Sequence, residues 1–187
     1  MDKTFYIADL HFGHKNVLKY DNRPFFTVEE MDKTMIENWN RVVEVNDTVY
    51  VLGDIAWYDY KRTIEIMRQL NGEKILIKGN HDKLNQELRD CFKYVYDYKE
   101  IKDNGRDVIL CHYPIPCFNK HFYGSIHLYG HVHNSFESNM MEHFRKEMIE
   151  LYDKQCNMYN VGCMMPWMNY TPRTLDEIIN LYDNTKL

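Results

Sequence analysis

The stretch Lys74–Asp82, with the sequence KILIKGNHD, combines a short apolar run with a polar tail. The run up to Lys78 has the length and aliphatic content of a buried β-strand. Turn chemistry would explain the asparagine and the aspartate that follow Gly79, but it does not explain His81. The tail therefore points to a functional site at the end of a strand.

Four other predicted strands also run into polar residues at their carboxyl ends. Thr4–Ala8 is followed by Asp9-Leu-His11, Thr48–Leu52 by Gly53-Asp54, Asp107–Cys111 by His112, and Ile126–Tyr129 by Gly130-His131-Val-His133. Taken singly, each cluster has an ordinary explanation as loop residues or surface imidazoles. Because open α/β sheets bind ligands beyond the carboxyl ends of their strands, the five clusters together predict one shared site.

Helical patterns separate these strands. Thr27–Glu30 and Thr174–Glu177 are capping boxes that open helices, and apolar residues recur at helical spacing from Met31 to Val42. Asn104-Gly105 predicts a hairpin turn. The alternation predicts an α/β fold with helices covering the sheets, and the hairpin makes the sheet content mixed. Without an internal repeat or a linker, residues 1–187 are expected to form a single domain.

Composition limits the classes of function. The 187 residues carry a net charge of −5 with a pI near 6.0, which argues against a nucleic-acid partner. No apolar run approaches the roughly 20 residues of a membrane helix, and the first residues lack the pattern of a signal peptide. The five cysteines are odd in number and show no CxxC spacing, which favours reduced thiols and a cytoplasmic location. The oligomeric state is left open.

The residue types of the shared site indicate metal binding. Two carboxylates, one amide oxygen and four imidazoles suit manganese, iron, zinc, nickel or cobalt better than magnesium or calcium. Seven ligands are too many for one catalytic ion with an open position, and they suit two ions if one carboxylate bridges them. The candidate ligands are Asp9, His11, Asp54, Asn80, His112, His131 and His133.

In order and spacing, the clusters resemble the motifs of the calcineurin-like metallophosphoesterase superfamily, which read D-x-H, G-D, G-N-H-D/E, a lone H and G-H-x-H. The phrases around His14, Asn22–Phe25 and Cys111–Pro114 look like a small bacterial and phage-type subgroup of that superfamily. The resemblance implies a four-layer αββα sandwich with two mixed β-sheets.

The resemblance also implies a division of the ligands and a reaction. One ion would be held by Asp9, His11, Asp54 and His133, and the other by Asp54, Asn80, His112 and His131. A hydroxide bridging the two ions, with manganese the first choice of metal, would hydrolyse a P–O ester bond. The first hypothesis is a phosphodiesterase acting on a small nucleotide-like phosphoester. The alternatives are a phosphomonoesterase and a non-catalytic metal-binding scaffold or interaction protein.

Three residues are candidates for contact with the substrate, namely the metal ligand Asn80 and two residues outside the ligand set, His81 and Arg23. His81, beside the ligand Asn80, is the candidate general acid that protonates the leaving group, and its alternative role is a hydrogen bond that orients Asn80. Many relatives carry an aspartate where this chain has Trp57, so the partner of His81 is Asp59, Asp82 or none. Arg23 is either a phosphate clamp or a solvated loop arginine.

One segment and three histidines remain outside the predicted site. Apolar residues between Met140 and Leu151 permit a helix, either packed against the sandwich or serving as a lid or dimer contact. His121, His127 and His143 are expected to be structural or exposed.

Overall fold

A computed structural model describes residues 2–185, which form two four-stranded sheets. The first sheet contains, in spatial order, β1 (Thr4–Ile7), β2 (Thr48–Val51), β3 (Glu73–Ile77) and β4 (Tyr94–Tyr96). The second contains β5 (Tyr98–Asp103), β6 (Arg106–Cys111), β7 (Ile126–Tyr129) and β8 (Asn157–Asn160). The first sheet is parallel in all three pairings, whereas the second is mixed because β5 and β6 form an antiparallel hairpin.

Helices cover the outer faces of the two sheets. They are α1 (Val17–Tyr20), α2 (Val28–Val42), α3 (Tyr60–Gln69), α4 (Gln86–Arg89), α5 (Phe136–Tyr152) and α6 (Leu175–Thr185). The crossover helices α2 and α3 share one apolar core with the first sheet, and α5 and α6 pack against β8. The predicted four-layer αββα sandwich is therefore confirmed. No helix within residues 2–185 has both the length and the apolar character that a membrane span requires.

The two sheets meet at the carboxyl end of β1. The N–H of Ala8 donates to the carbonyl of Val161 at 2.8 Å, and the N–H of Cys163 donates to the carbonyl of Ala8 at 2.8 Å. This local pairing joins the ends of β1 and β8. It brings the loops that follow β1, β2 and β3 beside those that follow β6 and β7.

His127 supports one of these loops from inside the second sheet. Its ring is fully buried in β7, where Nδ1 donates to the carbonyl of Ile109 at 3.1 Å and Nε2 accepts from the N–H of Ile115 at 3.0 Å. The second bond anchors the segment that follows His112. Burial lowers the pKa of His127 to about 4, so the ring is neutral in the folded chain.

We expect protonation of His127 to destabilise the fold in mild acid. The unfolded chain takes up this proton near the ordinary pKa of 6.5, whereas the folded chain does so only near about 4. Stability from this residue is therefore complete above pH 6.5 and falls by about 2 kcal/mol between pH 7 and pH 5. Urea unfolding of the wild type and of His127→Asn, which keeps the donor to Ile109, measures this difference. An identical pH dependence in both proteins would contradict it.

Candidate metal centre

All seven predicted ligands lie on loops at the carboxyl ends of the strands. Asp9 and His11 follow β1, Asp54 follows β2, Asn80 follows β3, His112 follows β6, and His131 and His133 follow β7. The structure brings them into two adjacent groups that share Asp54. These residues are distant in sequence but close in space, because the carboxyl ends of parallel strands lie at the same edge of a sheet.

The first group consists of Asp9, His11, Asp54 and His133, each of which offers one ligand atom within 4.8 Å of the others. The Nε2 atoms of His11 and His133 are 3.1 Å apart, and His11 Nε2 is 3.7 Å from Asp54 Oδ2. Asp9 Oδ1 is 3.9 Å from His133 Nε2. These four residues form a possible metal-binding cluster.

The second group surrounds the amide oxygen of Asn80. Its Oδ1 is 3.0 Å from His112 Nε2 and 2.9 Å from His131 Nδ1. Asp54 Oδ2, which also faces His11, is 3.6 Å from His112 Nε2. One carboxylate oxygen of Asp54 therefore faces both groups.

Two hydrogen-bond acceptors face each other in the second group, as expected if a cation binds between them. A carbonyl can only accept, so His112 Nδ1 must donate to the carbonyl of Leu52 at 2.7 Å. In the neutral ring, Nε2 then directs a lone pair at the Asn80 oxygen, which is also an acceptor. A cation between these two atoms would satisfy both of them.

The first group also holds a buried lone pair without a partner. His133 Nδ1 donates to the Asp21 carboxylate at 2.7 Å, and Nε2 of the neutral ring can accept from Nε2–H of His11 at 3.1 Å. His11 is buried, and its Nδ1 has no hydrogen-bond partner among residues 2–185. Burial, followed by the charge of His133, lowers the pKa of His11 to about 2, so a proton does not occupy the unpartnered nitrogen.

Burial also shifts the pKa of the carboxylate at the centre of the first group. It raises the pKa of Asp9 to about 6, against the opposing effect of His133 and His112. The N–H of His131 donates to both oxygens of Asp9 at 3.1 Å and helps to hold the carboxylate in place. A buried carboxylate whose charge is this costly is a favourable site for a cation.

Five of the predicted ligands have a left-handed backbone conformation, which is uncommon outside glycine. The φ angles are 54° at Asp9, 51° at His11, 54° at Asp54, 70° at His131 and 46° at His133. Strained conformations of this kind persist only where the surrounding structure imposes them, and they concentrate at functional sites. The backbone is thus bent at the positions where the ligands must turn inward.

Gly130 allows the loop after β7 to approach the first group. A Cβ at this position would lie 2.6 Å from Asp9 Oδ2 and 2.7 Å from the Cβ of Ala8. Both distances are too short for any side chain. The glycine before His131 is therefore required by the close approach of the loop to Asp9.

Asp21 is part of the site, although its sequence pattern did not identify it. Its carboxylate accepts from His133 Nδ1 and, at 2.9 Å, from the guanidinium of Arg23. This arrangement fixes the tautomer of His133 and raises the basicity of Nε2, as carboxylates commonly do for histidine ligands. Burial opposes a higher pKa of His133, but the hydrogen bond to Asp21 and the charge of Asp9 outweigh it and raise that pKa.

Arg23 does not take the predicted role of a phosphate clamp. It is only 4% exposed, and its guanidinium donates to the carbonyls of Leu10 and Asp9 at 3.0 Å as well as to Asp21. Its donors are thus used inside the fold, on the backbone that carries the first ligands. Both predicted roles, the phosphate clamp and the solvated loop arginine, are wrong, because the side chain is buried and its donors are bonded inside the fold.

We expect Asp21→Asn to lower the affinity of the first group for a divalent ion by about 10- to 100-fold, because His133 loses the charged partner that orients it. Calorimetric titration with manganese measures this effect. Asp97→Asn, which alters an exposed carboxylate, is the matched control. Equal affinities of the two variants would show that Asp21 has only a structural role.

His81 lies beside both groups without belonging to either. Its N–H donates to Asp54 Oδ1 at 3.0 Å. The centroid of its exposed ring lies 6.0 Å from that of His11 and 4.7 Å from that of Trp57, in an edge-to-face contact. Neither Asp59 nor Asp82, the two carboxylates predicted as possible partners of His81, is bonded to its ring. Asp59 caps α3, and Asp82 accepts from the N–H groups of Asp54, Ile55 and Gly79.

Two other aromatic residues near the site are also placed by the structure. His14 stacks on Trp57 with ring centroids 4.3 Å apart and an interplanar angle of 12°. Tyr113 is 45% exposed, and its ring centroid lies 4.5 Å from that of His131. The two groups of ligands are therefore flanked by aromatic walls.

Comparison with known proteins supports the assignment of the chain to a family. It is 37% identical over 189 residues to the uncharacterized protein MJ1445 of Methanocaldococcus jannaschii, covering 100% of this chain and 95% of that protein. It is 39% identical over 101 residues to the gene 66 protein of Mycobacterium phage L5, covering 52% of this chain and 48% of that protein. No protein-family model matches the sequence.

A solved structure shares the fold over almost the whole chain. It is AQ665 of Aquifex aeolicus, a protein of unknown function, with a TM-score of 0.65 and 24% identity over 97% of this chain and 100% of that chain. This likeness concerns the fold alone. The identity and coverage with MJ1445 go further, and the chain belongs to the same protein family as MJ1445 of M. jannaschii.

Proposed function

We propose that this protein is a phosphoesterase that hydrolyses P–O ester bonds with the help of two divalent transition-metal ions, manganese being the first choice. The observation that carries the proposal is the position of Asp54 Oδ2, 3.7 Å from His11 Nε2 in one group and 3.6 Å from His112 Nε2 in the other. Two cations at short distance need an anionic group between them, and Asp54 is placed to supply it.

The residues would divide as the resemblance implies. Asp9, His11, Asp54 and His133 would hold one ion, and Asp54, Asn80, His112 and His131 the other. When bound, such a pair supplies the ionised water that attacks phosphorus and the positive charge that neutralises the phosphoryl oxygens.

The protein itself would supply the proton for the leaving group. His81 is exposed next to Asn80, and its main-chain bond to Asp54 fixes the position of its backbone relative to both groups. An alkoxide leaves efficiently only when it is protonated, so an imidazole at this position acts as the general acid. Asp82 supports this arrangement by holding the N–H groups of Asp54 and Gly79 together.

A small phosphodiester with a nucleotide-like structure is the proposed substrate. A monoester carries up to two negative charges on its phosphoryl group, whereas a diester carries one and needs less cationic support. Arg23, the guanidinium expected near phosphate, is committed to Asp21 and to backbone carbonyls. This favours a diester over a monoester, which remains the alternative substrate class.

The proposal is tested by metal content and hydrolysis together. We expect purified protein loaded with manganese to hold two ions per chain and to hydrolyse bis(nitrophenyl) phosphate, and a chelator to stop turnover. The double variant His112→Ala/His131→Ala should lose one ion and its activity, whereas the control His143→Ala, at an exposed site on α5, should keep both. Full turnover in the double variant would refute the ligand assignment. Two bound ions without turnover of diesters or monoesters would favour a scaffold.

A further inference from the structure

A cavity of about 490 Å³ opens beside His81 and is distinct from the space between the metal ligands. Among the predicted ligands only Asn80 borders it, and its walls include Trp57, Tyr60 and Leu84. This volume is within the range of small-molecule binding sites, and the mixture of aromatic walls with a few polar groups is typical of them. Nothing in the proposed chemistry accounts for this cavity.

Trp57 and His81 border both this cavity and a second one beside the predicted metal ligands His11 and His133. The second cavity, about 460 Å³, is bordered by His11, His133, His81 and Trp57. The indole is covered on one face by the stacked ring of His14, yet 49% of the side chain is exposed. An indole that is held flat by one neighbour and remains half exposed is a ready surface for another flat ring.

The position of His81 determines which part of a substrate would enter the first cavity. A general acid must contact the oxygen of the leaving group, so the leaving group extends from the phosphorus toward His81. His81 borders both cavities, and the metal ligands other than Asn80 border only the second or neither. The phosphoryl group would therefore lie beside the predicted metal ligands, and the leaving group would lie in the first cavity beside Trp57.

We propose that Trp57 and the cavity beside it form a subsite that binds an aromatic leaving group of the phosphoester, of the kind that a nucleoside presents. This inference rests on the proposed function, because it assigns a place to one part of that substrate. Stacking of a base on an aromatic side chain corresponds to about 10- to 100-fold in kcat/KM. Selectivity for flat leaving groups should follow from that contact.

A positioning role of Trp57 is the competing explanation. The Trp57 and His81 rings are in edge-to-face contact with their centroids 4.7 Å apart, and this contact could hold the imidazole in place. Such a role would affect every substrate equally, whereas a subsite would affect only those that release a ring. Two esters with the same phosphate product distinguish these cases.

The test compares the rates of hydrolysis of methyl phenyl phosphate and methyl trifluoroethyl phosphate, measured by phosphorus NMR. Both release methyl phosphate, but only the first has a flat leaving group. Trp57→Ala should lower kcat/KM for the phenyl ester by about 10- to 100-fold and for the alkyl ester by less than about threefold. Trp57→Phe should retain most of the preference, and Tyr123→Ala, at an exposed aromatic residue away from both cavities, should match the wild type. Equal losses on both esters, or no loss, would overturn the subsite.

A second measurement does not depend on hydrolysis. Adenosine should quench part of the tryptophan fluorescence of the wild type but not that of Trp57→Phe, since Trp39 and Trp167 are buried. Equal quenching in both proteins, or none, would overturn the subsite even if the protein is active. If neither ester is cleaved, the proposed function fails and the assignment to a leaving group fails with it, whereas selective quenching would still demonstrate ring binding at Trp57.

Discussion

Asp54→Asn is expected to abolish hydrolysis, with kcat reduced by about a thousandfold or more, and to reduce the bound metal from two ions to one or none. The substitution removes the negative charge between the two groups while it preserves the shape of the side chain. Loss of several kcal/mol of charge stabilisation corresponds to a rate change of this size. Elemental analysis and turnover of a diester with manganese measure both effects.

The variant should remain folded, which makes the result interpretable. Asparagine tolerates the left-handed conformation that Asp54 adopts, with φ at 54°, better than most residues. Its amide oxygen can still accept from the N–H of His81. Asp97→Asn is the matched control for loss of an exposed carboxylate. Two ions and near-normal turnover in Asp54→Asn would refute the role of this residue as a bridge.

His81→Ala is expected to retain both metal ions but to lower kcat by about a hundredfold to ten-thousandfold for an ester with an alkyl leaving group. The loss should be much smaller for a nitrophenyl ester, because nitrophenolate departs without a proton. Added imidazole should restore part of the activity on the alkyl ester. The comparison of the two esters isolates proton donation from other effects of the substitution.

Two results would assign His81 a different role. Loss of a metal ion in His81→Ala would place the ring in the coordination shell. Equal losses on the alkyl and nitrophenyl esters, with no rescue by imidazole, would reduce it to a residue that orients Asn80.

Local patterns were sufficient to predict most of the fold. The hydroxyl of Thr27 accepts from the N–H of Glu30 at 3.1 Å, as the capping box at that position requires. The turn at Asn104-Gly105 joins β5 to β6, with positive φ at both residues. The strand Asn157–Asn160 was not predicted, because its four residues include an asparagine at each end and lack β-branched side chains. It is a strand because β7 pairs with it.

The candidate site was predictable to the extent that each residue follows a strand. Because parallel strands end at the same edge of a sheet, the sequence alone predicts that the ligands lie close together. The structure places all seven within two adjacent groups. Their role in binding metal stays a prediction. Asp21 is linked to the site by its hydrogen bond to His133, 112 residues away in the sequence, and Arg23 is buried. No local sequence pattern encodes either feature. The stacking of His14 on Trp57 is likewise a purely tertiary feature.

The left-handed backbone at five ligand positions bears on how such a protein would change over evolutionary time. A lineage released from selection on this site would gain stability by substituting these residues with glycine or asparagine, which adopt this conformation at lower cost. Substitutions would therefore accumulate first in the loops that carry these residues, while the αββα sandwich is retained. Relatives that have lost the site should then carry glycine or asparagine at positions such as His11 and His133 and have a more heat-resistant fold.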